Sequence, residues 1–362
     1  MESKKLRVGQ WIEVRSKDEI QNTLDKKGQI DGMPFMPEML QFCGQKFRIY
    51  RRAHKTCDTV FPVRGRKVAD CVHLETRCDG QSHGGCQAGC LIFWKEAWLK
   101  PIDPNEMKDE SLRQRNGSAT VSFKLSAHDT GDAVREEGVV SNDDETNPTY
   151  VCQATQLPYA TSSLSPWDIR QYIEDFTSGN ASLAQMARGF IYMTVNRFIN
   201  LGIGLGKPMR WCYDVFQRFF GGIPYPRRVG IIPIGSPTPS AKLDLSEGEW
   251  VRVKSYKEIL ATCDKSLRNR GMLFDAEMVP YCGGTYRVLK RVTRIINERT
   301  GKLQEMKTPC IILDSVVCHS RYSECRLFCP RSIYAYWREI WLERVENAPA
   351  NSAKPISNIS IA

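Results

Sequence analysis

Apolar and polar residues alternate in two short stretches of the chain that open with the same pattern. GQWIEVRS begins at residue 9 and GEWVRVKS at residue 248, and both are rich in β-branched residues. A period of two residues predicts a β-strand with one buried face. Ser16 and Ser255 follow these strands, each with a glutamate three residues later, and this capping-box pattern predicts a short helix in each place.

The similarity continues, so that residues 9–52 match residues 248–291 without a gap at a constant offset of 239. Rare residues such as Trp11 and Trp250 stay in register, which predicts a duplicated module. Both copies continue with further strands, CGQKFRIYRR or CGGTYRVLKR among them, and end in a tryptophan-rich segment, WKEAWLK or YWREIWLERV. We therefore expect each copy to be a small, strongly bent β-sheet or barrel with one inserted helix.

Between the copies the pattern changes twice. One segment is polar, with eleven acidic against five basic residues, and the next has apolar residues at helical spacing followed by a Gly/Pro-rich stretch. The predicted domains are a cysteine-rich β module (1–100), an acidic flexible linker (101–150), a helical middle region with a Gly/Pro connector (151–240), a second cysteine-rich β module (241–346) and a disordered tail (347–362).

The formal net charge of +10 and the absence of a long apolar run bear on the binding partners and the location of the protein. A basic surface attracts nucleic acid, acidic lipid or an acidic protein, although it can also be merely solvated. No run of about 18 apolar residues occurs, so we expect no membrane span. The opening MESKKLRVGQW lacks the apolar core of a secretory signal, which predicts a cytoplasmic protein.

Fourteen cysteines in a reducing compartment indicate metal ligands or reduced core thiols more than disulfides. Four thiolates from two loops can hold zinc, and each copy offers such a set. The candidate ligands are Cys43, Cys78, Cys86 and Cys90 in the first copy, and Cys282, Cys318, Cys325 and Cys329 in the second. Reduced cysteines packed in a small core, a redox pair and an iron–sulfur cluster are the alternatives. Cys71 and Cys310 lie in apolar strands and are predicted to be buried thiols.

Other residues carry weaker signals. Cys43 or Cys282 could act as a nucleophile with His54 or His73 as base, although the second copy has no histidine at either matching position. The paired tryptophans at the end of each copy either form a stacking surface or seal the core. The matched residues Glu38 and Glu277 are expected to cap a segment or to pair with a charge. We assign no catalytic residue.

The strand pattern GxW(I/V)xV(R/K)S and the order of the predicted elements resemble SH3-like barrels. The whole chain, with its CDGQSHGGCQ loop and its CPRSIYAYWREIWLER close, is similar to bacterial tandem-module proteins that have no assigned activity. The resemblance implies an α+β chain in which two duplicated, small β-barrel-like modules flank a helical middle region. It carries no functional residue to this sequence.

These patterns predict a non-catalytic binding or scaffold protein in which one zinc ion holds each module, giving two per chain. Two similar modules would engage a repetitive nucleic acid or protein partner through avidity. The alternative is an enzyme or accessory protein of a bacterial biosynthetic pathway, with a substrate cleft between the modules and the helical middle.

Overall fold

A computed structural model describes most of the chain. The described residues are 5–61, 64–103, 139–141, 148–202 and 204–346. The predicted linker therefore lies largely outside the described residues, and the predicted tail lies wholly outside them.

The fold is mixed α+β, with many small antiparallel sheets, and the chain divides into two units. Unit 1 contains residues 1–181 together with 296–304, and unit 2 contains residues 182–295 together with 305–362. The boundary at residue 181 falls inside the predicted helical middle region. The predicted five-part division itself stays a prediction.

Unit 1 consists mainly of short strands. The strands are β1 (Trp11–Val14), β2 (Gln29–Ile30), β3 (Met33–Pro34), β4 (Lys46–Arg48), β5 (Arg51–Arg52), β6 (Lys55–Cys57), β7 (Gly65–Lys67), β8 (Cys71–Arg77), β9 (Leu91–Lys95), β10 (Leu99–Pro101), β11 (Val139–Ser141), β12 (Thr149–Tyr150) and β13 (Ser162–Leu164). The helices are α1 (Lys17–Gln21), α2 (Gln153–Ala160) and α3 (Arg170–Thr177), with 3₁₀ turns at Pro37–Phe42 and Glu96–Trp98. Three-stranded sheets form in the orders β10-β1-β4, β5-β8-β9 and β13-β7-β6.

The core of unit 1 is built on the inward faces of these strands. Ile12 and Val14 of β1 are fully buried, as the alternating pattern predicts. Phe35 meets Trp98 edge to face at 5.2 Å between ring centroids, and it meets Trp94 at 6.3 Å. Both tryptophans have no exposed surface, so the prediction that they seal the core is confirmed for this unit.

Buried ion pairs join α3 to the β elements of unit 1. Lys55 donates to the carboxylate of Asp175 at 2.5 Å, and the Arg52 guanidinium contacts Glu174 at 3.1 Å. Asn180 accepts the backbone N–H of Arg52 at 2.8 Å. These contacts explain why residues up to 181 belong to this unit.

Unit 2 contains the longer elements. Its helices are α4 (Leu183–Ile199), α5 (Gly206–Phe219) and α6 (Tyr256–Ala261), and 3₁₀ turns occupy Ala276–Tyr281 and Glu339–Trp341. Its strands are β14 (Trp250–Val253), β15 (Arg268–Asn269), β16 (Met272–Leu273), β17 (Thr285–Ile296), β18 (Leu303–Val317), β19 (Tyr334–Trp337) and β20 (Leu342–Arg344). The main sheet has the order β19-β18-β17-β14-β20. Residues 297–301, which are counted with unit 1, form the turn between β17 and β18.

The core of unit 2 also forms around an aromatic cluster. Phe274 meets Trp341 edge to face at 5.3 Å and Trp337 at 6.2 Å, and both tryptophans are fully buried. No closed barrel is found among the residues that the structure describes, because the sheets stay open at their edges. Within the same residues, no helix is both long and apolar enough to cross a membrane.

Candidate functional site

One group of metal-ligating side chains comes together in unit 1. Among the described residues, Glu38, Cys78 and His83 form the group of three or more such side chains whose ligand atoms all lie within 4.8 Å of one another. The side chains of Glu38 and His83 are 2% and 1% exposed. These two side chains are buried, and Cys78 is half-buried.

Three separate elements bring these residues together. Glu38 lies in the 3₁₀ turn Pro37–Phe42, which has proline at its first position. Cys78 follows directly after β8, and its backbone N–H donates to the carbonyl of Cys90 at 2.9 Å, just before β9 begins. The loop between these two strands carries His83.

Glycine makes the sharp turn of this loop possible. Gly80 has φ +75°, and its carbonyl accepts the backbone N–H groups of His83 and Gly85, both at 3.0 Å. A Cβ atom on Gly80 would lie 2.0 Å from the carbonyl oxygen of Cys86. A side chain at this position would therefore displace the loop that positions His83.

The hydrogen bond of Nε2 determines which ring nitrogen of His83 carries a proton. Nε2 lies 3.0 Å from the carbonyl oxygen of Val151, which can only accept, so Nε2 carries a proton. Nδ1 lies 2.6 Å from Oε1 of Glu38. In a neutral ring Nδ1 is an acceptor, and two acceptors this close require a cation or a proton between them. A histidine that donates its outer N–H to a backbone carbonyl is the usual arrangement around a bound metal.

The charges of the pair favour the ionised forms. Burial alone would raise the pKa of Glu38, but the hydrogen bond and positive charge of His83 outweigh it and hold this pKa below its usual value. Burial alone would lower the pKa of His83, but the bond to Glu38 outweighs it and raises this pKa. Oε2 of Glu38 is buried without a hydrogen-bond partner among the described residues. The predicted charge pairing of Glu38 is thus confirmed, and one carboxylate oxygen is left for another ligand.

Sulfur completes the donor set. Sγ of Cys78 lies 3.8 Å from Oε1 of Glu38. Burial raises the pKa of Cys78, and the negative charges of Glu38, Cys90 and Cys152 raise it further, so its thiol stays protonated without a cation. Ligand atoms around a tetrahedral zinc lie about 3.3–3.8 Å apart, so holding zinc would require Nδ1 of His83 and Oε1 of Glu38 to move apart from their 2.6 Å hydrogen-bond contact. The three residues offer a metal ion one sulfur, one nitrogen and one oxygen.

Of the two predicted four-cysteine sets, only the first shares a residue, Cys78, with this group. In the first set, Cys86 accepts the backbone N–H of Ile296 at 3.4 Å, and burial raises the pKa of Cys43. In the second set, Sγ of Cys318 lies 3.4 Å from the hydroxyl of Ser320. Among the described residues neither set forms a group of the kind that Glu38 belongs to. The eight-cysteine assignment stays a prediction.

The matching carboxylate in the second copy, that of Glu277, has different hydrogen-bond partners. Glu277 lies at the position 239 residues beyond Glu38, and Tyr322 lies 239 residues beyond His83. The backbone N–H of Tyr322 donates to Oε1 of Glu277 at 2.5 Å. Burial raises the pKa of Glu277 to about 7, because the backbone hydrogen bonds only partly offset the loss of water. A backbone amide here takes the place that a histidine holds in unit 1.

The two cysteines predicted as candidate nucleophiles are not activated thiols. Burial raises the pKa of Cys282 to about 12 and also raises that of Cys43, which keeps both thiols protonated at neutral pH. His54 Nε2 lies 3.1 Å from the carbonyl oxygen of Gln171, and His73 Nδ1 lies 2.8 Å from that of Ile92. Cys71 and Cys310 are fully buried in strands, so their prediction as core thiols is confirmed.

The sequence was compared with known proteins. No protein-family profile and no curated protein matches this chain.

Proposed function

We propose that the protein is a non-catalytic binding or scaffold protein in which a single structural zinc ion holds unit 1. The observation that carries this proposal is the convergence of Glu38, Cys78 and His83, whose ligand atoms all lie within 4.8 Å of one another. Structural zinc sites are closed, whereas catalytic ones keep a position open to substrate. The burial of Glu38 and His83 supports the structural role.

A tandem arrangement supports the binding role. Arg52 pairs with Glu96, and Arg291 pairs with Glu339 at 2.7 Å. The Phe–Trp contacts of 5.2 Å and 5.3 Å also occur at positions 239 or 243 residues apart. We infer that the two copies arose by duplication and share an SH3-like plan. Two such modules would bind a repetitive nucleic acid or protein through avidity.

The buried tryptophans narrow the ways in which a partner could bind. Trp94, Trp98, Trp337 and Trp341 have no exposed surface, so they offer no face for base stacking. Arg52 and Arg291 are used in ion pairs within their own units. The hypothesis of a nucleic-acid partner therefore depends on the net charge of the protein. If that hypothesis is correct, the affinity for mixed RNA and DNA should fall steeply as the salt concentration rises.

Metal content tests the proposal directly. Purified full-length protein should contain about one zinc ion per chain by elemental analysis. His83→Gln and Cys78→Ser should lose that ion, whereas Cys318→Ser, at the matched cysteine of the second copy, should keep it. Melting temperature after exposure to a chelator gives a second measurement, since unit 1 should lose stability.

The possible results separate the competing assignments. Two zinc ions per chain, one of them lost in Cys318→Ser, would replace our assignment with the four-cysteine sets. Metal-free protein that is fully folded and unaffected by a chelator would remove the structural metal altogether.

A further inference from the structure

The outward face of α5 is aromatic. Trp211, Val215 and Phe219 lie four residues apart and therefore share one side of the helix. Trp211 is 67% exposed and Phe219 is 82% exposed, and Phe220, which follows the helix, is 73% exposed. Proteins rarely expose large aromatic side chains side by side without a binding role.

The opposite face of α5 packs against unit 2. Tyr213 is buried, and its ring meets Tyr192 of α4 at 6.2 Å and Tyr225 of the connector at 5.9 Å. The Phe216 ring lies 4.5 Å from that of Phe220 on the exposed side. The helix is therefore held in place by one face while the other stays exposed in the described structure.

The apolar surface extends to α4. Ile191, Phe198 and Leu201 are each about half exposed or more, and Leu205 precedes α5 with 47% of its surface exposed. Two helices in contact with each other thus both carry exposed apolar side chains. None of the functions proposed above uses this surface.

The charges around the aromatic face are almost all positive. Residues 183–220 contain five Lys or Arg and a single acidic residue, Asp214, which pairs with Arg228. Lys207 and Arg218 are exposed and lie at the edge of the Trp211 face. An apolar centre with a cationic edge is the pattern of helices that lie flat in a membrane interface.

We propose that the α4–α5 face of unit 2 binds the surface of an anionic lipid bilayer. The aromatic rings would enter the boundary between headgroups and acyl chains, where tryptophan in particular partitions. Lys207 and Arg218 would meet the anionic headgroups. A second copy of the chain fits less well, because it would bring two sets of cations together. A nucleic acid fits less well too, because phosphates need cations at the centre of a face.

Vesicle co-sedimentation of the full-length protein tests this proposal. Vesicles containing about a third phosphatidylserine should bind the protein more tightly than pure phosphatidylcholine vesicles do, and added salt should weaken that binding. Trp211→Ser combined with Phe219→Ser should lower partitioning at least about tenfold. Lys207→Glu with Arg218→Glu should remove the preference for phosphatidylserine. Because all four side chains are exposed, circular dichroism and the melting temperature should stay unchanged.

Leu289→Ser provides the matched control, since Leu289 is a 40% exposed apolar residue that belongs to β17 and not to α4 or α5. It should bind vesicles like the natural protein. Absence of vesicle binding, or equal binding by the aromatic double variant, would overturn the proposal. Concentration-dependent dimers that the aromatic variant abolishes, without lipid binding, would instead assign the face to self-association. Binding to RNA or DNA that the charge variant abolishes, without lipid binding, would likewise overturn it.

Discussion

At the residue scale, two buried carboxylates at matching positions have opposite electrostatic surroundings. Glu38 faces the imidazole of His83, which favours its ionised form. Glu277 accepts only backbone N–H groups, and burial raises its pKa to about 7. Backbone dipoles carry no net charge, so they cannot offset the loss of water as a cation does.

Replacing Glu277 with glutamine should remove a pH dependence of stability. The folded-state pKa of about 7 lies above the unfolded value of about 4.5, so between these pH values the folded state binds a proton that the unfolded state has lost. The free energy of unfolding of the natural protein should therefore fall by about 3 kcal/mol as pH rises through this window. Glu277→Gln should lack this decrease of about 3 kcal/mol, since its amide oxygen can still accept from Tyr322 and carries no titrating proton. Urea titrations at several pH values measure both curves.

The exposed residue Glu247 offers a control for that experiment. Glu247→Gln should follow the natural curve. Parallel curves for the natural protein and Glu277→Gln would contradict the assignment of the buried proton to Glu277.

Sequence reasoning recognised both glutamates as a matched pair but not the partner of either. Glu38 and His83 are 45 residues apart, and their contact depends on the turn at Gly80. Periodicity reports which face of an element is buried, and it contains no information on which loop atom meets which side chain. The cysteine spacing predicts sets of four thiolates, so it does not predict a group in which Cys78 is joined by Glu38 and His83. A lone histidine in the same loop was the available signal.

At the element scale, local rules were the most reliable guide. Both predicted capping boxes form, with the serine N–H donating to the glutamate at 3.0 Å for Ser16 and 2.9 Å for Ser255. The two tryptophan segments adopt the same backbone path. Each forms a strand, a 3₁₀ turn and a second strand, because this path buries both indoles against one phenylalanine.

A difference between the copies within these segments predicts unequal costs of the same substitution. The Trp341 indole N–H donates to the hydroxyl of Thr262 at 2.9 Å, whereas the buried indole N–H of Trp98 has no partner among the described residues. Thr23 and Thr262 both donate to a helix carbonyl, at 2.6 Å and 2.7 Å. Thr262→Val should therefore destabilise the protein by about 1–3 kcal/mol more than Thr23→Val, because it leaves a buried donor unpaired. Equal losses in urea unfolding would show that the indole bond adds nothing.

At the scale of the whole molecule, the sequence pattern does not predict the boundary between the two units. The prediction placed residues 151–240 in one middle region, whereas the boundary of the two units falls at residue 181. Unit 1 gains α3 through buried pairs such as Lys55–Asp175, whose partners are 120 residues apart. A charge pattern in the sequence does not distinguish a buried ion pair from a solvated one, so the sequence does not predict that α3 belongs to unit 1.

Because the proposed metal lies in unit 1 alone, its removal should act on one unit of the chain. The ion would link the turn Pro37–Phe42 to the loop between β8 and β9, and without it the thiol of Cys78 and the free oxygen of Glu38 lack a partner cation. A ligand present at about a thousand times its Kd stabilises a fold by about 4 kcal/mol. Amide hydrogen exchange of the full-length protein with excess chelator should therefore speed up in β8 and β9, while β14 and β20 of unit 2 keep their rates. His83→Gln should show the fast pattern without chelator and Cys318→Ser the natural one. Equal acceleration in both units would assign a metal to each copy, and no acceleration in either would show that unit 1 folds without one.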